Sequence, residues 1–162
     1  MKTAILAGSY DPITNGHLDI IHRSARLFDK VVVVVVFNTA KHSLFTVEER
    51  MELIRMVTAD IPDIEISCWD KLLVDFAGKY ENPVVVRGLR SITDFEYEFQ
   101  MEMFNKHLDP AVETIFLASS EKYTYLSSSA VKELAYYGSD LTEYVPEPIR
   151  EIVAKRGLGP NP

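Results

Sequence analysis

The sequence predicts a single α/β domain with an open, parallel five-stranded sheet flanked by helices. Apolar runs of strand length alternate with longer segments of helical periodicity along the 162 residues, a pattern that is typical of such domains. A run of six valines between Lys30 and Phe37 is typical of a strand that a parallel sheet buries on both faces. A chain of this length is also sufficient for one domain with its own core. The predicted fold is therefore Rossmann-like.

The first two strand–helix units occupy the first third of the chain. Strand one is predicted over residues 3–8, and a helix over residues 16–28 follows because apolar side chains recur there on one stripe. The valine run predicts strand two over residues 30–37. Helix two is predicted to open at Thr46, where the sequence Thr-Val-Glu-Glu fits a capping box and apolar residues follow at helical spacing.

The rest of the chain supplies three more strands and four more helices. Short apolar runs predict the strands over residues 64–69, 83–87 and 113–118. Helical patterns predict a short helix, a long amphipathic helix, a serine-capped helix and a last helix with Pro148 in its first turn, over residues 72–80, 93–108, 127–137 and 146–155. We expect the domain to cover residues 1–156 and residues 157–162 to form a flexible tail.

The composition excludes several classes of protein. The formal net charge is −7, whereas affinity for nucleic acid needs a basic face. The first residues hold too short an apolar run for a signal peptide, and no run approaches the length of a membrane helix. Cys68, the only cysteine, is predicted to be a buried core residue rather than a nucleophile. We therefore expect a cytoplasmic protein that binds neither nucleic acid nor membranes.

Polar clusters follow four of the five predicted strands, and open α/β sheets bind ligands at the carboxyl ends of their strands. After strand one, residues 8–17 form a turn rich in glycine and small polar residues that leads into a helix. The N-terminal N–H groups of that helix attract anions, and His17 in its first turn can point at the same anion. A tight turn with a capping histidine is an equally open interpretation.

The other three clusters carry lysine, arginine and serine. Lys41 follows strand two, and a solvated lysine is the simpler interpretation of that residue alone. Arg87 and Arg90 flank a glycine after strand four, and guanidinium forks match phosphate geometry. Ser127–Ser129 open a helix with more hydroxyls than a plain N-cap needs. The four clusters together predict a site for phosphorylated ligands.

Several catalytic motifs are absent from the sequence. It has no Walker A loop, no dinucleotide-binding fingerprint, no nucleophile elbow and no His-Glu-x-x-His zinc motif. No covalent intermediate is therefore indicated, and the chemistry would depend on positioned polar groups.

Four motifs resemble those of one enzyme family. Thr14-Asn15-Gly16-His17 is similar to the Thr/His-x-Gly-His signature of the nucleotidyltransferase superfamily. Together with it, the Arg-Gly-Leu-Arg segment at 87–90, the Asp-Phe-Glu-Tyr-Glu segment at 94–98 and the Leu-Ser-Ser-Ser segment at 126–129 resemble the bacterial phosphopantetheine adenylyltransferase family. The similarity runs from strand one to the last helix, which is nearly the whole chain.

The resemblance implies a reaction and an assembly. The adenylyl group of ATP would be transferred to 4′-phosphopantetheine by in-line attack, giving dephospho-coenzyme A and pyrophosphate as a step in coenzyme A synthesis. Mg²⁺ would be the cofactor, held mainly by the ATP phosphates rather than by protein ligands. The resemblance further implies a homohexamer and feedback inhibition by coenzyme A.

The resemblance also implies roles for particular residues. His17 would stabilise the transition state by a hydrogen bond to the α-phosphate, with Lys41 and Arg90 as further catalytic residues. The residues that bind phosphopantetheine would be Ser9, Lys41, Leu73, Arg87 and Asn105. A solvated helix residue is an equally good interpretation of Asn105. The residues that bind ATP would be Ser9, Tyr10, His17, Gly88, Leu89, Arg90, Glu98, Tyr123, Thr124, Tyr125, Leu126, Ser127, Ser128 and Ser129.

Three features depart from the family pattern. Ser9 stands where many members carry threonine, and Tyr123 replaces a frequent tryptophan. The loop Asn38–Lys41 differs from the proline-containing loop that is common in the family. None of these changes removes a charged reacting group, so activity is expected to persist.

Two alternatives remain open on the sequence. The first is a related nucleotidyltransferase that shares the Thr14–His17 motif, such as a nicotinamide-mononucleotide adenylyltransferase or a cytidylyltransferase. The second is a sensor that binds coenzyme A without catalysis. The retention of His17, Lys41 and Arg90 disfavours the sensor.

Overall fold

Five parallel strands form the centre of the fold in the spatial order β3-β2-β1-β4-β5. The computed structural model describes residues 1–37 and 42–160. The strands are β1 (Thr3–Gly8), β2 (Lys30–Val36), β3 (Ile64–Trp69), β4 (Pro83–Leu89) and β5 (Glu113–Ala118). The predicted parallel five-stranded sheet is confirmed.

Helices connect the strands and cover the sheet. They are α1 (Asn15–Leu27), α2 (Val47–Val57), α3 (Leu73–Ala77), α4 (Ile92–Leu108), α5 (Ser128–Tyr136) and α6 (Arg150–Gly157). The strand order reverses between β1 and β4, since β2 and β3 extend the sheet on one side and β4 and β5 on the other. In open α/β sheets this switch point is where a ligand crevice forms.

The valine run of β2 is buried on both faces, as its composition predicts. Val31, Val33 and Val35 belong to a core cluster on one face of the sheet. Val32 and Val34 belong to a second cluster on the other face. This alternation follows from the two-residue period of a strand, and it places β2 between two helical layers.

Side-chain caps begin both α1 and α2. Thr46 caps α2, and Glu49 completes the predicted capping box by accepting the Thr46 N–H at 2.9 Å. Thr14 caps α1 in the same way, with His17 in the position of the usual glutamate. The capping interaction of His17 therefore holds the imidazole at the start of α1.

Three predicted boundaries shift for identifiable reasons. Strand β4 runs to Leu89 rather than to Arg87, because Gly88 and Leu89 still pair with β5. Helix α3 ends at Ala77, and the remainder of the predicted helix consists of tighter turns with i to i+3 hydrogen bonds. The last predicted helix begins as a short 3-10 turn over Glu147–Ile149, which accommodates Pro148, and continues as α6.

Two burial predictions differ from the structure. Cys68 is exposed rather than buried, because β3 is an edge strand and Cys68 lies near its carboxyl end, outside both core clusters. Helix α4, predicted to be amphipathic, has no buried residue over its whole length. Its apolar side chains therefore lie at the surface of the single chain.

Gly157 and Gly159, in the predicted tail, lie against α5. Gly157 approaches Ala135 so closely that an added Cβ would be 2.5 Å from the Ala135 Cβ. The N–H of Gly159 donates to the Tyr136 carbonyl at 3.0 Å. Among the described residues, no helix is both long enough and apolar enough to cross a membrane.

Candidate active site

A cavity opens where β1 and β4 separate. Their pairing ends at Ile5 and Val85, whereas β1 stays paired with β2 as far as Gly8. Both separated strand ends line a cavity of about 410 Å³ at the carboxyl edge of the sheet. Such a volume is in the range of small-ligand sites.

The cavity brings together most of the residues that the sequence singles out. It is lined by Ser9, Tyr10, His17, Arg87, Gly88, Arg90, Glu98, Tyr123, Leu126, Ser127, Ser128 and Ser129. These side chains come from the ends of β1 and β4, the starts of α1 and α5, and the side of α4. The convergence agrees with the rule that links strand ends to ligand sites.

Five other predicted site residues lie outside the cavity lining, and a sixth lies outside the described residues. Leu89 is in β4, where its carbonyl accepts the Ser119 N–H. Thr124 bonds to the Glu121 carbonyl, and Tyr125 is 64% exposed. Leu73 packs on a core cluster at the start of α3, and Asn105 is half-buried on α4. Lys41 and the rest of the loop 38–41 are outside the described residues, so the roles predicted for them stay predictions.

His17 is held as a single neutral tautomer by its helix cap. Its Nδ1 lies 3.1 Å from the Thr14 backbone nitrogen, which is a donor, so Nδ1 must act as the acceptor. The Thr14 hydroxyl is 3.0 Å from the same Nδ1. The ring proton is therefore on Nε2, which has no hydrogen-bond partner among residues 1–37 and 42–160 and can donate to a ligand in the cavity.

The surroundings of His17 also keep the ring uncharged. Burial, together with the positive charges of Arg90 and Arg87, lowers the pKa of His17 to about 4. The ring packs edge-on against Tyr10, with 5.0 Å between the ring centroids, and the Tyr10 hydroxyl donates to the Leu6 carbonyl. His17 is thus a hydrogen-bond donor at neutral pH rather than a cation.

Arg87 is held by an acidic partner. Its Nε and Nη2 donate to the two carboxylate oxygens of Glu98 at 2.6 and 2.5 Å. Its Nη1 donates to the Ala7 carbonyl across the gap between β4 and β1. Burial alone would lower the pKa of Arg87, but the bonds to Glu98 and its charge raise it. A fork of this kind is among the strongest ion-pair geometries.

Arg90 forms an ion pair with Asp94 that is more exposed than the pair of Arg87 and Glu98. Its Nε lies 2.9 Å from Asp94, four residues further along the chain, and its Nη1 donates to the Leu126 carbonyl. The sequence suggests a cleft of basic residues, but the described lining balances Arg87 and Arg90 with Glu98 and Asp94. Arg87 is the more enclosed of the two and needs its partner Glu98, whereas Arg90 is more exposed, so its pair with Asp94 contributes less.

The start of α5 adds hydroxyl and N–H donors. Ser127 caps the helix by accepting the Ala130 N–H at 3.1 Å. The Ser128 hydroxyl donates to the Pro12 carbonyl at 2.8 Å, which joins α5 to the turn after β1. The N-terminal N–H groups of a helix attract anions, so this edge of the cavity suits phosphate.

Nine lining residues were not predicted as site residues, and Asp94 and Ser119 are two of them. Asp94 lines the cavity, and its spacing of four residues from Arg90 is the signal that could have identified it. Ser119 lines the cavity from the end of β5. Its position directly after a strand gives the same signal as the other clusters.

The described residues contain no cluster of three or more histidine, cysteine, aspartate or glutamate side chains arranged to hold a metal ion. The two carboxylates in the cavity, Asp94 and Glu98, are each engaged by an arginine. They do not amount to a protein cage for a cation. Mg²⁺ is commonly bound through substrate phosphates with few protein ligands.

Comparison with known proteins identifies the class first. Residues 5–134 match the cytidylyltransferase-like family, so the chain is a nucleotidyltransferase by fold and sequence. A solved structure from Vibrio parahaemolyticus, assigned as a nicotinate-nucleotide adenylyltransferase, aligns with a TM-score of 0.70 over 97% of this chain and 94% of that one. At 16% identity this likeness concerns the fold alone.

Closer relatives identify the family. A phosphopantetheine adenylyltransferase of Caldanaerobacter subterraneus is 54% identical over 96% of this chain and 95% of the relative. Those of Clostridium botulinum and Lachnoclostridium phytofermentans are 47% and 48% identical, over 96% and 94% of this chain and 98% and 94% of the relatives. The chain belongs to the phosphopantetheine adenylyltransferase family. The predicted family is thereby confirmed.

The depressed pKa of His17 predicts a specific acid sensitivity. The unfolded chain binds a proton at His17 near pH 6.5, whereas the folded chain does so only near pH 4. The stabilising contribution of neutral His17 is therefore complete above pH 6.5 and is lost as the pH falls toward 4. The loss is at most about 3.5 kcal/mol, since the two pKa values differ by about 2.5 units and one unit corresponds to about 1.4 kcal/mol.

Urea unfolding of the natural protein and of His17→Asn at several pH values between 7.5 and 4 measures this effect. Asparagine does not titrate, so the difference in unfolding free energy between the two proteins should shrink or reverse as the pH falls. A difference that is constant over this range would show that His17 titrates alike in both states.

Proposed function

We propose that this chain transfers the adenylyl group of ATP to 4′-phosphopantetheine, with dephospho-coenzyme A and pyrophosphate as products. The relatives named phosphopantetheine adenylyltransferase match nearly the whole chain. The structural observation that carries the proposal is the neutral His17, whose Nδ1 is held by Thr14 and which lines the same cavity as Arg87 and Arg90. We also propose that the enzyme acts in the cytoplasm, because both proposed substrates are intracellular metabolites.

The proposed chemistry is an in-line displacement. A phosphate oxygen of 4′-phosphopantetheine attacks the α-phosphorus of ATP, and the bond to the pyrophosphate oxygen breaks. Negative charge grows on the nonbridging α-oxygens, where the Nε2–H of His17 would donate a hydrogen bond. Such transfers depend on positioning and charge stabilisation, so no protein nucleophile is needed.

The ion pairs of the cavity suggest how the substrates are accommodated. A phosphate of phosphopantetheine would compete with Glu98 for the fork of Arg87, and Arg90 would leave Asp94 for the ATP phosphates. Ser9, Lys41, Leu73 and Asn105 are the other residues that we propose for the phosphopantetheine side.

We propose that ATP is held by Ser9, Tyr10, His17 and the start of α5. The N–H groups of residues 127–129 and the hydroxyls of Ser127 and Ser129 suit its terminal phosphates, by the same argument from the helix N-terminus. The remaining proposed contacts are Gly88, Leu89, Arg90, Glu98, Tyr123, Thr124, Tyr125 and Leu126.

We propose Mg²⁺ as the cofactor, carried on the ATP phosphates. When bound, it would neutralise part of the phosphate charge and so favour the departure of pyrophosphate. The protein's part would be to orient the phosphates with its own donors, because both cavity carboxylates are engaged by arginines.

The reaction itself can be tested by product analysis. With ATP and Mg²⁺, we expect 4′-phosphopantetheine to be adenylylated at least 100-fold more efficiently than nicotinamide mononucleotide, because it is the acceptor named for the relatives. Chromatography of the products and pyrophosphate release would measure both reactions. Faster adenylylation of nicotinamide mononucleotide would refute the assignment, and binding of coenzyme A without any turnover would indicate a sensor.

His17→Asn separates the cap from the catalytic role of this residue. The asparagine Oδ1 can take the place of Nδ1 and accept the Thr14 N–H, but no donor replaces Nε2–H. We expect kcat to fall about 100- to 1000-fold, as for loss of an oxyanion donor. The KM for ATP should change by less than about threefold, since the lost bond would be strongest in the transition state.

His22→Asn is the matched control, because His22 lies on the same helix but outside the cavity lining. It should leave both constants unchanged. Normal turnover by folded His17→Asn would contradict the role proposed for His17.

We further propose that the chain assembles as a homohexamer and that coenzyme A inhibits it. The support for assembly is α4, where eight large apolar side chains are at least 42% exposed: Ile92, Phe95, Tyr97, Phe99, Met101, Met103, Phe104 and Leu108. An apolar surface of this extent is unusual on a monomer and typical of an interface.

Light scattering should give the mass of six 18.4-kDa chains. Phe104→Asp should shift the mass to smaller species, because a charge at an apolar contact is costly to desolvate. Leu27→Asp, at an exposed leucine on α1, is the control and should leave the mass unchanged. A monomeric natural protein, or a Phe104→Asp protein of unchanged mass, would refute assembly through α4.

A further inference from the structure

Asp11 joins the turn after β1 to the entry of α2 and to α5, although it does not line the cavity itself. The side chain is 4% exposed and lies in the turn between β1 and α1. Its Oδ1 accepts the N–H of Phe45 and its Oδ2 accepts the N–H of Leu44, each at 2.9 Å. Its Oδ2 is also 3.3 Å from Nζ of Lys132 on α5. One carboxylate therefore connects the turn after β1, the entry to α2, and α5.

Arg50 holds the same turn from α2. It is 5% exposed, and its Nη1 donates to the Ser9 carbonyl at 2.8 Å. Its Nε donates to the Thr46 carbonyl at 3.2 Å, so the guanidinium spans from the cap of α2 to the turn. Ser9 lines the cavity and Arg50 does not, so Arg50 holds the backbone of a cavity residue from outside the cavity.

The turn needs such support because its backbone is not in a relaxed conformation. Tyr10 has a φ of 47°, in the left-handed region that non-glycine residues seldom occupy. Conformations of this kind persist when the surrounding structure holds them in place, and they cluster at ligand sites. The bonds from Asp11 and Arg50 are made on either side of Tyr10.

We propose that Asp11 and Arg50 are positioning residues for adenylyl transfer. They hold the turn that ends in His17 in register with the start of α5, so that the imidazole and the helix N-terminus face the same phosphate chain. This inference rests on the function proposed above. A shift of about 1 Å at such a site can reduce the rate about 100-fold, which is the scale of the effect we expect.

Asp11→Asn tests the carboxylate with little change of shape. The amide oxygen can accept one of the two N–H groups, but the amide nitrogen then faces a donor or the Lys132 ammonium. We expect kcat to fall 10- to 100-fold, because the turn after β1 and α5 would be misaligned in the transition state. The KM for ATP should stay within about threefold of that of the natural protein.

Arg50→Lys and Arg50→Met are a graded pair of variants that test the bonds of Arg50 to the Ser9 and Thr46 carbonyls. Lysine keeps the charge and can reach one of the two carbonyls, whereas methionine reaches neither. We expect a smaller loss of kcat for lysine than for methionine. A purely structural role would produce no such graded change in the kcat of the folded protein.

Glu65→Gln is the matched control. Glu65 pairs with Lys30 at 2.6 Å and accepts the Tyr80 hydroxyl at 2.7 Å, at the opposite end of the sheet from the cavity. This variant should lose stability without any change of kcat. All proteins are compared well below their unfolding midpoints, with near-UV circular dichroism verifying the folded state.

The outcomes are distinct. If the natural protein does not form dephospho-coenzyme A, the proposed function fails, whatever the variants do. If the natural protein is active and the Asp11 and Arg50 variants lose stability but keep kcat, as Glu65→Gln should, the positioning role is refuted. If Asp11→Asn does not fold, the graded Arg50 pair decides by the same criterion.

Discussion

The separation of β1 from β4 after Ile5 and Val85 is the constraint on which the site depends. Up to that pair the two strands are hydrogen-bonded to each other. Beyond it they no longer pair, and the ends of both strands line the cavity. Arg87 of β4 then donates to the Ala7 carbonyl of β1, so that a side chain crosses the gap where backbone pairing has ended. The cavity is thus a consequence of strand order, since connections leave β1 and β4 toward opposite sides of the sheet.

His17 illustrates how one bond can serve both folding and chemistry. Thr14 caps α1, and its backbone N–H is also the donor that fixes the tautomer of the His17 ring. A helix cap normally contributes about 1 kcal/mol of stability, and here it also selects which nitrogen faces the ligand. Burial and two arginines complete the effect by keeping the ring neutral. The helix cap thus fixes the donor that faces the cavity.

The charges of the cavity are paired within the folded chain. Arg87 and Arg90 reside beside Glu98 and Asp94, and both carboxylates come from α4. An unpaired guanidinium at the position of Arg87 would carry a desolvation penalty, which Glu98 offsets. Under the function proposed above, phosphate groups would exchange with these carboxylates on binding, and the net charge of −7 is compatible with polyanionic substrates.

The sequence by itself determined the parallel sheet, the buried β2 and the clusters at the strand ends, because strand period, valine content and capping motifs are local properties. The same local signals indicated His17, Arg87, Arg90 and the serines of α5. Tertiary structure alone decided that Arg87 is paired with Glu98, that Cys68 is exposed, and that α4 is uncovered. Only the tertiary structure brings Arg50 and Lys132 to the turn after β1, where Arg50 bonds to Ser9 and Lys132 pairs with Asp11. The Arg50–Ser9 and Lys132–Asp11 contacts join residues 41 and 121 positions apart, and no local sequence pattern encodes which distant partner will satisfy a buried charge.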